Sequence, residues 1–442
     1  MRRWLAASAA LLLLGACEKA ADKPVAAKDT SALADIQVVT SPGGVTAWLV
    51  SDSFVPMISM EMAWKGGSSV EPLDKEGVAW VLSYMMNEGA GDLDTAAYGA
   101  RMADLNMKFF CGPMSDWTEC GMVTLRETMD DSFDMLRLAF EKPRFDQEPI
   151  DRAKKELSIG LMQAETEPKT IANRAMMQII ASGHPYSRYA TPASVSTITK
   201  DDISAYMKSQ MTKDRLLVVV AGDITAEELK PKLDEVFGSL PATSILPEVP
   251  DVKPAETPAE PVVKQLPIPQ TVVTFSGPGL KRSDPDFYAA YVLNYILGGG
   301  FSSRLTDDIR EKKGLTYGIG SELSVQQHLA RWSGASSTMN DKAAEVVSLI
   351  REHIARLGKE GPTEKELADA KAYLTGAFPL NFDANKKIAA NLMSFRQDDL
   401  GIDYVAKRND FINAVTMEDV KRVAATYMKP ENFTFVLVGQ PK

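Results

Sequence analysis

Residues 298–320 read GGGFSSRLTDDIREKKGLTYGIG, a stretch in which one helical pattern ends and two new elements begin. The three leading glycines interrupt a helix, the two serines that follow are suitable N-caps for a short helix, and Gly314 ends that helix before an extended run. The pattern predicts Arg310 near a helix C-terminus and Tyr317 on the next strand. Locally, the pair is either a surface arginine with a half-buried strand tyrosine, or a cation and a phenol facing one cleft.

Composition describes an ordinary globular protein and excludes one class of partner. The chain has 442 residues, 45% hydrophobic and 24% charged, with a formal net charge of −10. This length predicts two or three domains with large cores. We expect no nucleic-acid binding, because phosphate contacts need a concentrated basic face and no Lys/Arg run exceeds two residues.

The N-terminus resembles an export signal. Two arginines precede an apolar stretch, residues 4–14, that is too short to span a bilayer. Residues 14–17 (LGAC) resemble a bacterial lipobox, so residues 1–17 would be a signal peptide with lipid-modified Cys17 and residues 18–35 a flexible tether. The alternative is an ordinary signal peptide that removes Cys17. We expect an exported, periplasmic, membrane-anchored lipoprotein of a Gram-negative bacterium, touching the membrane only through its lipid anchor.

The other two cysteines lie in the segment FFCGPMSDWTEC. A hairpin that turns at Ser115-Asp116 would place Cys111 directly opposite Cys120. An exported protein meets oxidising conditions, so a disulfide is one outcome and two unpaired half-buried thiols are the other.

An internal repeat sets the domain organisation. Residues 198–222 align without a gap on residues 415–439, over a helix, a turn and a strand. The identical pairs are Thr199/Thr416, Asp202/Asp419, Met211/Met428, Val219/Val436 and Gly222/Gly439. We predict an α+β protein of two homologous domains, residues 36–239 and 268–442, each an antiparallel-rich sheet with helices on one face. The proline-rich residues 240–267 would be the linker.

These segments resemble the pitrilysin and mitochondrial processing peptidase family, zinc peptidases with an inverted H-x-x-E-H motif and paired α+β domains. The resemblance covers nearly the whole mature chain. It rests on GGSSVEPLDKEGVAWVLSYMMNEGA in the first half, on GHPYS at 183–187, and most specifically on residues 298–323 in the second half. Members carry an Arg and a Tyr in that last setting, matched here by Arg310 and Tyr317.

The zinc half of the family pattern is missing. Trp80, Ser83 and Tyr84 stand where the two histidines and the glutamate belong, and none can replace an imidazole ligand or a carboxylate base. The downstream glutamate ligand would fall near residues 160–161, Gly-Leu here, with the nearest glutamates out of register. The chain has only three histidines, with no pair at i, i+4. We therefore expect no zinc or other cofactor bound by this chain.

A lost zinc motif beside a retained Arg/Tyr pair is the pattern of the family's two-subunit members. The resemblance implies a non-catalytic, substrate-binding subunit of a heterodimeric zinc metallopeptidase, inactive alone, whose H-x-x-E-H partner supplies zinc. Arg310 would bind peptide carbonyls and Tyr317 would stabilise an oxyanion on the partner's zinc. Residues 298–300 (Gly298, Gly299, Gly300) would be a substrate loop or simply a helix stop. The alternative function is a structural or chaperone-like envelope protein with no role in catalysis.

Overall fold

The computed structural model describes residues 35–442, so the predicted signal peptide, Cys17 and nearly all of the tether lie outside the described residues. The described chain contains two β-sheets. Their strands are β1 Gln37–Thr40, β2 Thr46–Ser51, β3 Met57–Lys65, β4 Lys108–Pro113, β5 Trp117–Leu125, β6 Leu216–Gly222, β7 Val262–Gln265, β8 Gln270–Pro278, β9 Thr316–Val325, β10 Ala330–Met339 and β11 Thr434–Gly439.

Helices surround both sheets. They are α1 Val78–Met85, α2 Thr95–Asp104, α3 Met129–Glu141, α4 Gln147–Ala164, α5 Pro168–Ile180, α6 Pro192–Ser196, α7 Lys200–Gln210, α8 Ala226–Phe237, α9 Phe287–Asn294, α10 Ala343–Glu360, α11 Glu364–Gly376, α12 Asn385–Gln397, α13 Tyr404–Ala414 and α14 Met417–Tyr427. Two π-helical turns, Tyr295–Gly299 and Thr306–Lys312, flank the glycine run. The sequence predicted a helix at the second, and the observed turn is wider than an α-helix.

The two sheets have the same topology, which confirms the predicted α+β class and its two similar halves. The first sheet has the order β1-β2-β6-β3-β5-β4 and the second β7-β11-β8-β10-β9. Apart from β1, each strand has a counterpart: β2 pairs parallel with β6 as β7 does with β11, and the remaining pairs of both sheets are antiparallel. The repeated segments are α7 with β6 and α14 with β11.

The repeated helices begin at identical capping boxes. Thr199 caps α7 and exchanges hydrogen bonds with Asp202, and Thr416 caps α14 and does the same with Asp419. Each box satisfies two backbone donors that a helix N-terminus leaves free. The duplication is therefore visible in local chemistry as well as in topology.

One helix from each half packs on the outer face of the other half's sheet. Leu392 of α12 packs against Val50 and Val219 of the first sheet. Met176 of α5 packs against Val436 of the second sheet. The inner faces of the two sheets bury the larger cores, under the remaining helices of their own halves. A cross-packed helix covers part of each sheet's second face and joins the halves.

The predicted linker, residues 240–267, is more structured than a spacer. Residues 262–265 form β7, which pairs parallel with β11 at the edge of the second sheet. Leu246 and Val249 pack on the first core, and the Val252 amide donates to the His328 carbonyl at 2.9 Å. The C-terminal end of the predicted linker therefore includes an edge strand, because Val262 and Val263 pair with the open edge of β11.

The structure also answers the question about the cysteine pair and bears on membrane-spanning helices. Cys111 and Cys120 are direct partners in the β4–β5 hairpin and form a disulfide, the first of the two outcomes left open. Among residues 35–442, no helix combines the length and the apolar character needed to cross a membrane.

Candidate functional site

Aromatic side chains occupy the positions where the zinc motif would stand. On α1, the rings of Trp80 and Tyr84 are stacked with centroids 5.6 Å apart, one helical turn from each other. Ser83 is buried, and its hydroxyl donates to the Ala79 carbonyl at 2.8 Å. That hydroxyl is thus committed to its own helix. This face of α1 presents rings and no basic nitrogen or carboxylate that would bind a metal.

The opposing helix α4 brings an arginine to the same place. Nε of Arg152 lies 3.4 Å from the Tyr84 hydroxyl, Nη2 lies 2.5 Å from Glu88 and Nη1 lies 2.5 Å from Glu148. The Tyr84 contact and the two carboxylates raise the pKa of Arg152. Arg152 thus links α1 to α4 by charge-assisted hydrogen bonds.

The residues present do not fit a zinc ion. Leu157 and Leu161 of α4 pack against the first core, so the residue nearest the expected third ligand is an aliphatic side chain. Within residues 35–442, no group of three His, Cys, Asp or Glu side chains is arranged to hold a metal. Catalytic zinc needs three such ligands.

Glu71 holds the start of α1 in place of a conventional cap. Its carboxylate accepts hydrogen bonds from the backbone amides of Gly77 at 3.0 Å and Ala79 at 2.8 Å. Burial raises the pKa of Glu71 to about 7, opposed by those two hydrogen bonds. The orientation of α1 is therefore fixed even though its motif is not that of a peptidase.

Arg310 and Tyr317 lie in the predicted types of element, but they do not share one pocket wall. Arg310 is on the second π-helical turn, half-exposed, with its guanidinium 5.4 Å from the Phe301 ring and Nε 3.4 Å from Glu311. Tyr317 is the second residue of β9, and its side chain is 90% exposed. Of the two, only Tyr317 lines the neighbouring groove.

That groove, of about 790 Å³, runs over the outer face of the second sheet beside α5. Small residues of β9 and β10 form part of its floor, including Gly318, Gly320 and Ala335, and β8 adds larger side chains such as Val272 and Phe275. Lys169 and Arg331 contribute positive charge and Glu322 negative charge. A floor of small side chains leaves strand backbone within reach of an extended chain, while Tyr317 stands at the margin.

Sequence reasoning did not identify Arg331 as a residue of the groove. It lies on β10, its Nε is buried without a hydrogen-bond partner, and burial lowers its pKa. An arginine inside a strand looks like an ordinary surface residue in sequence. It lies in a groove because α5 of the first half packs on β8 and β11 and so forms one wall beside β10.

All three glycines of the run are closely packed. A side chain at Gly298 would come within 2.6 Å of the Ser321 backbone nitrogen, and one at Gly300 within 2.6 Å of the Tyr295 ring. Gly298 and Gly299 end the first π-helical turn, as the helix-stop alternative expects. Phe301, directly after the run, is 70% exposed.

Together, these features define a duplicated α+β protein with a peptidase-like site that lacks metal ligands. Residues 197–374 match the family model described as the peptidase M16 inactive domain. Over these residues the chain is similar to an M16 inactive domain, in agreement with the family resemblance seen in the sequence.

Relatives and solved structures agree with this assignment. The chain is 23% identical over 393 residues to "Non-peptidase homolog YmxG" of Helicobacter pylori, covering 88% of this chain and 90% of that protein. It is 23% identical over 410 residues to "Uncharacterized zinc protease YmxG" of Bacillus subtilis, with 91% and 98% covered.

The fold is shared with a solved peptidase M16 inactive domain from Pseudomonas fluorescens. The TM-score is 0.84 at 24% identity, with 92% of this chain and 98% of that chain covered. A protease from Helicobacter pylori gives a TM-score of 0.81 at 17% identity, with 91% and 99% covered.

Proposed function

We propose that this protein is the non-catalytic, substrate-binding subunit of a heterodimeric zinc metallopeptidase. A homologous H-x-x-E-H chain would supply the zinc, the water and the general base, and peptides would be the substrates. The observation that carries the proposal is the exposed Tyr317 beside a groove in a chain whose α1 lacks metal ligands. A phenol that is 90% exposed has little structural reason to be there.

The chemistry of the pair suits a contribution to the partner's reaction. Tyr317 has an O–H donor able to stabilise an oxyanion, and Arg310 has a permanent charge with donors suited to peptide carbonyls. The adjacent edge strand β9 can hold an extended peptide by main-chain pairing. Arg310 and Tyr317 would come together only around a bound peptide, since neither side chain is held to the other in the free chain.

The decisive experiment measures cleavage of a quenched fluorescent peptide by this chain, by an H-x-x-E-H homologue, and by their mixture. We expect activity well above the homologue alone only in the mixture. Tyr317→Phe should lower kcat/KM of the mixture about tenfold or more, because one oxyanion donor is removed. Tyr373→Phe is the matched control, since Tyr373 is also exposed but stacks on Tyr295 away from the groove.

The second candidate is a structural or chaperone-like envelope protein, favoured by the partly buried aromatic and leucine side chains that pack around α1. Under that function, the mixture shows no gain in cleavage and Tyr317→Phe behaves as Tyr373→Phe. Zinc-dependent cleavage by this chain alone would contradict both functions.

We further propose that the protein is an exported lipoprotein anchored through Cys17. Cys17→Ser is expected to move it from the membrane fraction to the soluble fraction of the cell envelope, because two or more acyl chains supply the anchoring energy. Equal membrane association of both forms would exclude the anchor.

A further inference from the structure

A cavity of about 660 Å³ lies where the two halves meet, and we call it the junction cavity. It is open to solvent and is lined by α9, α12, α13 and the end of β9 from the second half, and by the β4–β5 hairpin from the first. Aromatic side chains form much of its wall: Trp117, Tyr288, Tyr291, Phe395 and Tyr404. Polar and charged side chains make up much of the rest of the lining, and the volume lies in the range of small-molecule sites.

Arg282 is an arginine of this wall, and one of its hydrogen-bond donors, Nε, has no acceptor. Its guanidinium lies 4.1 Å from the centroid of the Phe287 ring, and Nη2 donates to the Tyr404 hydroxyl. Nε is buried without a hydrogen-bond partner, and it forms an ion pair with Asp398, whose carboxylate oxygen is 3.6 Å away. That separation exceeds a hydrogen bond. A buried guanidinium with unmatched donors is costly unless an acceptor is supplied.

The other arginine of the cavity is satisfied differently. Arg408 is buried, its Nη1 donates to the Leu374 carbonyl at 3.0 Å and to Asn409 at 3.2 Å, and its Nη2 contacts the Tyr291 hydroxyl at 3.3 Å. It also stacks on Phe378 at 4.2 Å. Arg408 therefore holds the wall together, and Arg282 is the group with donors left for a ligand.

The carboxylates of the lining do not oppose an anion strongly. The Asp116 carboxylate accepts a hydrogen bond at each oxygen, one from the Tyr186 hydroxyl and one from the backbone N–H of Gln327. The Glu119 carboxylate accepts one from the side-chain amide of Gln397. Burial raises the pKa of Asp398, with Arg282 acting in the opposite direction. Asp398 therefore takes up a proton more readily than an exposed aspartate when a second anion approaches.

We propose that the junction cavity binds a carboxylate attached to an aromatic group, with the carboxylate on Arg282 and the ring among the aromatic side chains of the wall. Two sources share this chemistry: a free aromatic acid, and the C-terminal residue of a peptide that ends in Phe, Tyr or Trp. Binding at this cavity requires no partner chain and does not depend on the proposed peptidase role.

The test uses the full chain and calorimetric titration with N-acetylphenylalanine and with its amide. The acid should bind and the amide should bind at least about tenfold more weakly, because a charge-assisted hydrogen bond is lost. A hexapeptide ending in Phe, with a free or an amidated C-terminus, separates the sources. Binding of the free-acid peptide assigns a peptide terminus, and binding of only the small acid assigns a free metabolite.

Variants locate the binding. Arg282→Gln should abolish the preference for acid over amide, and Arg351→Gln is its matched control because Arg351 also stacks on an aromatic ring, Phe435 at 4.9 Å, outside the cavity. Ser394→Trp places a large side chain at an exposed cavity position of α12 and should abolish binding without disturbing Arg282. Equal affinity for acid and amide, unchanged binding by Ser394→Trp, or no binding of either compound would each overturn the proposal.

Discussion

Three residues of α1 stand where the resemblance places the H-x-x-E-H motif of a zinc peptidase. Two stacked rings, Trp80 and Tyr84, and one buried hydroxyl, Ser83, take the ligand and base positions on α1. Stacked aromatics contribute about 0.5–1.5 kcal/mol beyond the burial of their surface. The substitutions therefore exchange a metal site for ordinary packing, and the helix keeps its place in the fold.

Glu61 gives a pH dependence that can be tested. Burial raises its pKa from 4.5 to about 7, with Lys386 acting to lower it and Glu119 to raise it. Between these values the folded state holds a proton that the unfolded chain has released. The free energy of unfolding should therefore fall as pH rises from about 4.5 to about 7, by up to about 3 kcal/mol from this residue.

Glu61→Gln should remove that contribution, because glutamine has a similar size and does not titrate. Urea denaturation at pH 5 and pH 8 measures the effect: relative to wild type, the variant should gain stability at the higher pH. Glu418→Gln, at an exposed position, is the control and should leave the pH dependence unchanged. Parallel profiles for Glu61→Gln and wild type would contradict the raised pKa.

At the scale of elements, Arg152 links α1 to α4. It contacts Tyr84 and Glu88 on α1 from its position on α4. Arg152→Met should lower the free energy of unfolding by about 1–3 kcal/mol, because Glu88, which is mostly buried, loses its partner.

Arg137→Met is the control for that measurement. Arg137 pairs with Asp134 and Glu141 on its own helix, so its removal should cost no more than about 1 kcal/mol. Chemical denaturation of both variants measures the two losses of unfolding free energy. Equal losses would mean that the contact between α1 and α4 adds nothing beyond a surface ion pair.

The sequence predicted best those elements whose signals are local. The repeat of residues 198–222 in residues 415–439 predicted a helix and a strand in each half, and the Cys111–Cys120 register follows from one short hairpin. The cross-packed helices α5 and α12 were not predicted, because their apolar faces meet a sheet from the other half. The same reason hid β7, whose partner β11 is distant in sequence, and the junction cavity, whose walls come from both halves.

At the scale of the whole molecule, the exchange of helices predicts one cooperative unfolding transition. Each sheet has part of its outer face covered by a helix of the other half, so separating the halves would expose Leu392, Met176 and the strands beneath them. Arg396 strengthens the contact by donating to the Val218 carbonyl at 2.6 Å. Neither half can then unfold alone without uncovering apolar surface of the other.

Calorimetry of the wild type and of Leu392→Ala tests this coupling. The side chain of Leu392 is fully buried, so the variant should lose about 2–5 kcal/mol, and its single transition should shift to lower temperature as a unit. Leu380→Ala, at a position that is 72% exposed, is the matched control and should change little. Two separate transitions, with Leu392→Ala moving only one of them, would mean that the halves fold independently and that α5 and α12 merely rest on their neighbours. Because residues of both halves line the junction cavity, independent folding would let the cavity change shape as the halves move. A single transition would mean that the two halves, and with them the walls of the cavity, stay together until the whole chain unfolds.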